Sequence, residues 1–469
     1  TEQLNSIIMG NQFSRRKFIS GAAVLGAAGV TGFNPLTACS EGGKSNVSLI
    51  TGQPFKGLDQ LSIPPLLEKA PDGPVLKAGV IGCGGRGSGA ATDWLSAGPN
   101  VTITALGDVF KDRIDSCKEK IKKQFNLDIP EENCFVGFDA FQKVIDSGVD
   151  VVILATPPKF RPEHFEAAVN ARKNVFMEKP VAVDTVGIRS VIASAKKAET
   201  LNLKIICGTQ RRHQPDYIEV YKQVATGAIG DIVAANAWWN GGQLWYRVPK
   251  PEWSEMECMI RDWVNWQWLS GDHIVEQHVH NLDVINWFTG LYPTKAVGFG
   301  SRQRRVTGDQ FDNFSIDYVY DNGMHMHSMC RQITGCVNNV SEWIHGTKGY
   351  TNCKDTIFDM TGNKIYTYPY PLNDKGEPGK SVKISPYVQE HIDLVTCIRQ
   401  DKPVNEAEAC AMSCLVAIMG RVSAYTGKEV TLEEMMNSEM KLGPETYIMG
   451  DVGIMKNPVI PVPGEDKKG

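Results

Sequence analysis

Val75-Leu76-Lys77-Ala78-Gly79-Val80-Ile81 runs straight into Gly82-Cys83-Gly84-Gly85-Arg86-Gly87, and a helical pattern continues to about residue 97. A short apolar run bounded by glycine reads as a buried strand. Glycines at the first, third and sixth positions permit a tight turn. They also let backbone approach a pyrophosphate at the N-terminus of the following helix. Set between strand and helix, this spacing predicts the opening of a dinucleotide-binding α/β domain. Asp108 follows the next strand, 101–106, about twenty residues on, where an acid meets the ribose hydroxyls and repels a 2′-phosphate. NAD is therefore expected over NADP, with Lys111 and Arg113 as the nearby features that would serve NADP.

Outward from this stretch, apolar strand patterns alternate with helical ones. Strands are expected at 134–136, 149–155, 174–177 and 204–207, and helices at 111–124, 138–147, 162–171 and 186–200. That alternation is the doubly wound parallel pattern. After Gly208 it changes. Residues 232–239, 296–301, 314–320, 324–329, 340–345 and 349–353 read as strands with few helices between them, which predicts a mostly antiparallel sheet. Helices at 388–399 and 407–426 are expected to pack back toward the first domain. The expected organisation is a Rossmann domain at 75–208 and a C-terminal α+β substrate and oligomerisation domain at 209–440. A signal segment (1–39), an extended arm (40–74) and a tail (441–469) flank them.

The chain has 469 residues and a net charge of −4, too long for one ordinary domain and without the basic balance of a nucleic-acid partner. No internal run reads as long and apolar enough for a membrane span. At the N-terminus, Ser14-Arg15-Arg16-Lys17-Phe18-Ile19 is a twin-arginine pattern. A Gly/Ala-rich run follows, and then Leu36-Thr37-Ala38-Cys39, a lipobox. The order matches a twin-arginine lipoprotein signal, with a lipid anchor on Cys39 and a periplasmic location. Twelve cysteines include no CxxC. Neither a disulfide framework nor a metal site is expected, and His325 and His327 read as sheet-surface residues.

Several motifs follow strands, where carboxyl ends line a cofactor crevice. Thr156 and Pro157 belong to Ala155-Thr156-Pro157-Pro158, and Glu178 and Lys179 to Met177-Glu178-Lys179-Pro180. A lysine there can polarise a substrate hydroxyl, and Glu178 can hold that lysine or a ribose. Residues 270–290 read as one helix, with Asp272 as N-cap and Gly290 as stop. Its spacing puts Glu276, His280, Asp283 and Trp287 on one stripe.

Taken together, these motifs resemble the Gfo/Idh/MocA oxidoreductases, including the exported glucose–fructose oxidoreductase type, from about residue 75 to 434. The resemblance implies that Lys179 and His280 flank a substrate carbinol beside the nicotinamide. It also implies an open C-terminal sheet used between subunits. In that family the place of Glu276 usually holds Asp and that of His278 usually Gly. The expected cofactor contacts are Gly82, Gly84, Gly85, Arg86, Gly87, Asp108, Thr156, Pro157, Glu178 and Lys179. Lys179, His280 and Glu276 are the expected catalytic groups.

Seven of the ten tryptophans fall between Trp238 and Trp268, which suits stacking on sugar faces or an aromatic-rich core. Trp245, Arg261, Trp263 and Arg211 are expected substrate contacts with Lys179, Glu276, His278, His280 and Asp283, while Arg212 reads as a surface turn. The first functional expectation is an exported oxidoreductase with tightly held NAD, acting on a sugar, polyol or glycoside. The second is a glycosidase or lyase that oxidises its substrate transiently. The third is an NAD- and sugar-binding protein without turnover.

Overall fold

A computed structural model describes residues 48, 55–373, 376–377, 379–455 and 460–464. The twin-arginine pattern, the lipobox and Cys39 lie outside the described residues. The described chain belongs to one compact unit.

The first half builds the alternation expected of it. Its elements are β1 (Leu76–Ile81), α1 (Gly85–Leu95), β2 (Val101–Asp108), α2 (Lys111–Phe125), β3 (Cys134–Val136) and α3 (Ala140–Asp146), then β4 (Val151–Leu154), α4 (Arg161–Asn170), β5 (Asn174–Met177), α5 (Thr185–Thr200) and β6 (Ile205–Cys207). The six strands are parallel in the order β3-β2-β1-β4-β5-β6. Strands β4 and β6 are buried throughout, as a sheet covered on both faces requires. The order reverses beside β1, which opens a crevice at the carboxyl ends.

The second half contains α6 (Pro215–Ala225), β7 (Ile232–Gly241), α7 (Glu255–Arg261), α8 (Gln267–Ser270), α9 (His273–Glu276) and α10 (Val279–Thr289). Strands β8 (Lys295–Ser301), β9 (Asn313–Val319), β10 (His325–Gln332) and β11 (Asn339–Gly346) follow. Next come β12 (Gly349–Thr351), β13 (Thr356–Asp359), β14 (Lys364–Thr367), α11 (Pro386–Arg399), α12 (Ala407–Thr426), β15 (Val430–Thr431) and α13 (Leu432–Asn437). Nine strands form one sheet, β14-β13-β12-β11-β7-β10-β9-β8-β15, and only β7 and β10 pair in parallel. The mostly antiparallel expectation holds. Strands β13, β14 and β15 were not expected, being two to four residues long and, in β14, largely exposed, so they carry no usable period.

Two readings need correction. Helix α12, at 20 residues, is long and apolar enough to cross a membrane by length and composition, against the expectation that no internal run is. Its burial among the inner face of the sheet, α5 and α10 explains that composition.

Residues 270–290 are not one helix. Gly271 at φ +82 ends α8, Asp272 at φ +78 caps α9, and Gln277 and His278 separate α9 from α10. Asp272 is a cap as expected, accepting from the His273 N–H at 2.5 Å, and Gly290 stops α10 at φ +67. The Tyr425 hydroxyl donates to the same aspartate at 2.5 Å, locking the corner.

The flanking segments are also more than tether and tail. Residues 61–74 lie along α11, where Arg399 donates to the carbonyls of Pro71, Pro74, Pro99 and Asn100. At the other end, Leu442, Tyr447, Val452, Ile454 and Met455 pack on Met256, Met259, Trp266 and Trp268.

Candidate active site

Glycine geometry shapes one end of the crevice. Gly82 has φ +91, and a Cβ on Gly87 would sit 1.7 Å from the Gly82 carbonyl oxygen, so the first turn of α1 requires glycine at position 87. Gly84 and Gly85 are different: a Cβ on either meets nothing within 4 Å and would project into the cleft. Asp108 ties down the loop by accepting from the backbone N–H groups of Cys83 at 2.7 Å and Phe110 at 2.9 Å. Burial raises its carboxyl above the usual range, against those hydrogen bonds. Around them lies a cavity of about 270 Å³ lined also by Thr156, Pro157, Phe160, His164 and Tyr447.

These residues fit a dinucleotide. The open glycines leave backbone free for a pyrophosphate, and Asp108 sits where a ribose needs an acceptor. Lys111 is engaged by Asp115 and Glu131, and Arg113 lines the cavity. His164 stacks on Phe141 at 4.2 Å with its Nδ1 3.4 Å from Thr156 Oγ1. Burial, helped by Arg161, pushes its pKa down to about 3, so it is a neutral ring in the cavity wall.

Farther along the crevice, Arg86 donates from Nε to Glu178 at 2.5 Å and from Nη2 to Asp93 at 3.0 Å. Burial opposes the arginine's charge, but Glu178, Glu390 and Asp93 outweigh it. The next residue, Lys179, donates to the backbone oxygen of Glu276 at 2.5 Å and to its Oε1 at 3.1 Å. The break between α9 and α10 makes the first of these bonds possible. The His280 N–H bonds the Gln277 carbonyl instead, which leaves the Glu276 oxygen to the ammonium.

His280 stacks on Trp239 with ring centroids 5.6 Å apart. Among the described residues its ring nitrogens have no hydrogen-bond partner, and neither is fully buried. Burial, then Lys179, then Arg211 hold its pKa well below 6.5, so the ring is an unprotonated acceptor. Arg211 itself is clamped by Glu342, which also accepts from Tyr217 Oη and Asn281 Nδ2.

A model of the oxidoreductase family with an NAD-binding Rossmann fold matches residues 76–204, and a model of the GFO/IDH/MocA C-terminal domain matches residues 217–352. Together they cover more than half of the chain. The protein belongs to the Gfo/Idh/MocA oxidoreductase family. Inositol 2-dehydrogenase of Salmonella typhimurium is 25% identical over 233 residues, 50% of this chain and 60% of that protein. The chain thus spans about three fifths of the length of such curated relatives. A glycosyl hydrolase family 109 protein of Streptomyces coelicolor is 25% identical over 173 residues, 36% of this chain and 34% of that one. Among solved structures, scyllo-inositol dehydrogenase from Lactobacillus casei with bound NAD(H) and scyllo-inositol superposes with a TM-score of 0.57. It is 19% identical and covers 76% of this chain and 99% of its own, a likeness of fold.

On this Gfo/Idh/MocA frame the remaining expected residues separate. Asp283 turns from the cleft and receives a bidentate pair from Arg212, both bonds at 2.8 Å, and a bond from Ser413. Arg212 is therefore an internal anchor and not a surface turn. His278 is buried behind the site with Nε2 2.7 Å from Ser328 Oγ, and burial lowers its pKa to about 3. Arg261 and Trp263 line the cavity beside Asp108, far from the Lys179 end. Arg261 pairs with Asp112 and Glu257 and lies 3.9 Å over the Phe110 ring. Trp245 is half exposed and meets Trp263 edge-on. The tryptophans thus disperse: Trp239 goes to His280, Trp263 to the cavity, and Trp266 and Trp268 to a core. Glu342 and Tyr447 carried no local sequence signal, because each acts through partners distant in the chain.

Proposed function

We propose that the protein is an exported NAD-dependent oxidoreductase that acts on a carbinol of a sugar, polyol or glycoside. The observation carrying this reading is the juxtaposition of a hydrogen-bonded lysine and an unprotonated, unpartnered histidine in the crevice that begins at the glycine loop. Gly82, Gly84, Gly85 and Gly87 with Asp108 would hold NAD, which supplies the hydride acceptor when bound. Lys179 presents its ammonium to the carbinol oxygen and stabilises charge developing there. Glu276 fixes that ammonium by two acceptors. His280 takes the hydroxyl proton, for which a neutral ring is required. Trp239 offers an aromatic face beside His280 for the apolar side of a sugar ring.

The twin-arginine and lipobox patterns support delivery as a folded, lipid-anchored periplasmic protein. Since free cofactor is scarce outside the cytoplasm, NAD would travel bound and be recycled by a second substrate. The outer face of the C-terminal sheet supports a homo-oligomer.

A second reading, redox-neutral cleavage of a glycoside through transient oxidation, is favoured by the similarity to the family 109 glycosyl hydrolase. His278 lends it no help from behind the site, so Glu276 is the acid/base group it would use.

The deciding experiment is mass spectrometry of nucleotide released from the denatured purified protein, followed by a sugar panel monitored by reduced-nicotinamide absorbance. Retained NAD and a sugar-dependent signal are expected. Lys179→Ala and His280→Ala are expected to lower the rate by roughly 10²–10⁴. Absence of nucleotide together with no NAD binding by calorimetry overturns the reading. Aglycone release from a nitrophenyl glycoside without net reduction selects the second.

A further inference from the structure

The cofactor crevice has a wall that neither sheet supplies. After Leu442 the chain crosses to the mouth of the cavity and places the Tyr447 ring in its lining. That ring packs 5.0 Å from Phe160, 6.2 Å from Phe138 and 6.3 Å from Trp268, the last nearly parallel at 8°. Phe138 follows β3 and Phe160 follows β4, so Tyr447 bridges the two strand ends over the half of the cleft that holds Asp108. By the geometry of such sheets this is the adenosine half. The Tyr447 hydroxyl has no hydrogen-bond partner among the described residues and is not fully buried.

The segment is clasped as well as packed. The Glu255 carboxylate, at the start of α7, accepts from the backbone N–H groups of Val452 at 2.6 Å, Gly453 at 2.5 Å and Met455. The Met256 N–H donates in return to the Gly450 carbonyl at 3.0 Å. Upstream, the Leu442 N–H donates to Asp184, which also receives Lys159. An irregular segment without helix or strand is thus fixed at both ends, and its one large aromatic side chain that lines the cavity stands between the fixed points.

We propose that residues 443–455 form a strap over the adenosine half of the cofactor, with Tyr447 as its binding face and Glu255 as its clasp, and that this strap is what turns NAD from an exchanging co-substrate into a resident group. The inference rests on the NAD-dependent reading above. Bound nucleotide must displace the Tyr447 ring or the strap to leave, so the strap acts on the dissociation rate.

The test loads the full-length protein with NAD and follows its release by rapid dilution into excess etheno-NAD. Tyr447→Ala is expected to release NAD at least roughly tenfold faster, equivalent to about 1.4 kcal/mol. Tyr447→Phe keeps the ring and should release at a rate close to that of the wild type. Glu255→Gln replaces an acceptor oxygen with a donor facing N–H groups. It should speed release similarly and make the 443–455 segment sensitive to limited proteolysis. Wild-type release rates in both Tyr447→Ala and Glu255→Gln overturn the strap while leaving the cofactor reading intact. Absence of NAD binding by the wild-type protein overturns both.

Discussion

His280 shows how much one side chain owes to its surroundings. Its ring lies against Trp239, largely buried, with two cations near enough to oppose a third charge. A lowered pKa means that the neutral base survives as pH falls below the ordinary 6.5 and disappears only at a lower value. The expected kcat/KM profile therefore has no acid limb at 6.5 and stays level from neutral pH to below that value. An acid limb at or above 6.5 in the wild type would contradict the assignment. The candidacy of His280 and Lys179 is legible in sequence because each lies in a local motif. Asp283 is not, although the same helical spacing selects it. What removes it from the cleft is Arg212, 71 residues away, and no local pattern records which of two acids a distant arginine takes. The same holds for Arg211 and Glu342, separated by 131 residues. Bidentate and largely buried, the Arg212–Asp283 pair would leave a costly unpaired charge if either partner were lost, which fits a scaffold role better than substrate binding.

Among the elements, the broken helix between 267 and 289 governs the site. Apolar periodicity runs through the whole stretch, which is why it reads as one helix, and side-chain period is blind to a turn whose flanks keep the same buried face. The backbone signals were Gly271 and Asp272, a left-handed glycine followed by a cap that also bonds Tyr425. They set where α9 begins, and the second interruption, at Gln277 and His278, leaves the Glu276 carbonyl to Lys179. Gly271→Ala tests this coupling. Its Cβ would lie 2.9 Å from Val275 Cγ1, and φ +82 disfavours any side chain. A loss of about 1–3 kcal/mol is expected in urea unfolding, from strain and overpacking. A further fall in turnover is expected in the fraction that stays folded, because Glu276 sits one turn downstream. Full stability with full turnover would show that the break does not depend on this glycine. Helix α12 teaches the converse lesson. Its composition alone cannot distinguish lipid from a protein interior, and only the neighbouring sheet and helices settle what surrounds it.

At the scale of the whole molecule, the two sheets meet water differently. The parallel sheet is covered by helices on both faces, whereas the nine-stranded sheet presents one face to helices α10 and α12 and leaves the other open. Pairing across the strands aligns Phe299, Ser315, Met329, Trp238 and Ser341 in one outward row, and Val297, Asp317, His327, Asn236 and Trp343 in the next. Beyond Trp343, Tyr350 and Phe358 stack at 4.9 Å. Alternation inward-apolar and outward-polar is what an open antiparallel sheet needs in water, and these rows depart from it. Phe299 departs furthest, being 70% exposed. A second copy of the chain laid on this face would cover it, as the expected subunit contact requires. Phe299→Asp is the informative change, because a side chain so exposed contributes little to the fold of one copy. The unfolding free energy at low protein concentration should stay within the ordinary range for a surface substitution, about 0.5 kcal/mol. Sedimentation velocity should show the assembly dissociating at a concentration roughly tenfold higher or more than wild type, since a charge would be buried at an apolar contact. An unchanged sedimentation coefficient across that range would place the subunit contact on another face. A wild-type chain that sediments as a monomer throughout would leave the aromatic rows without a second copy to cover them.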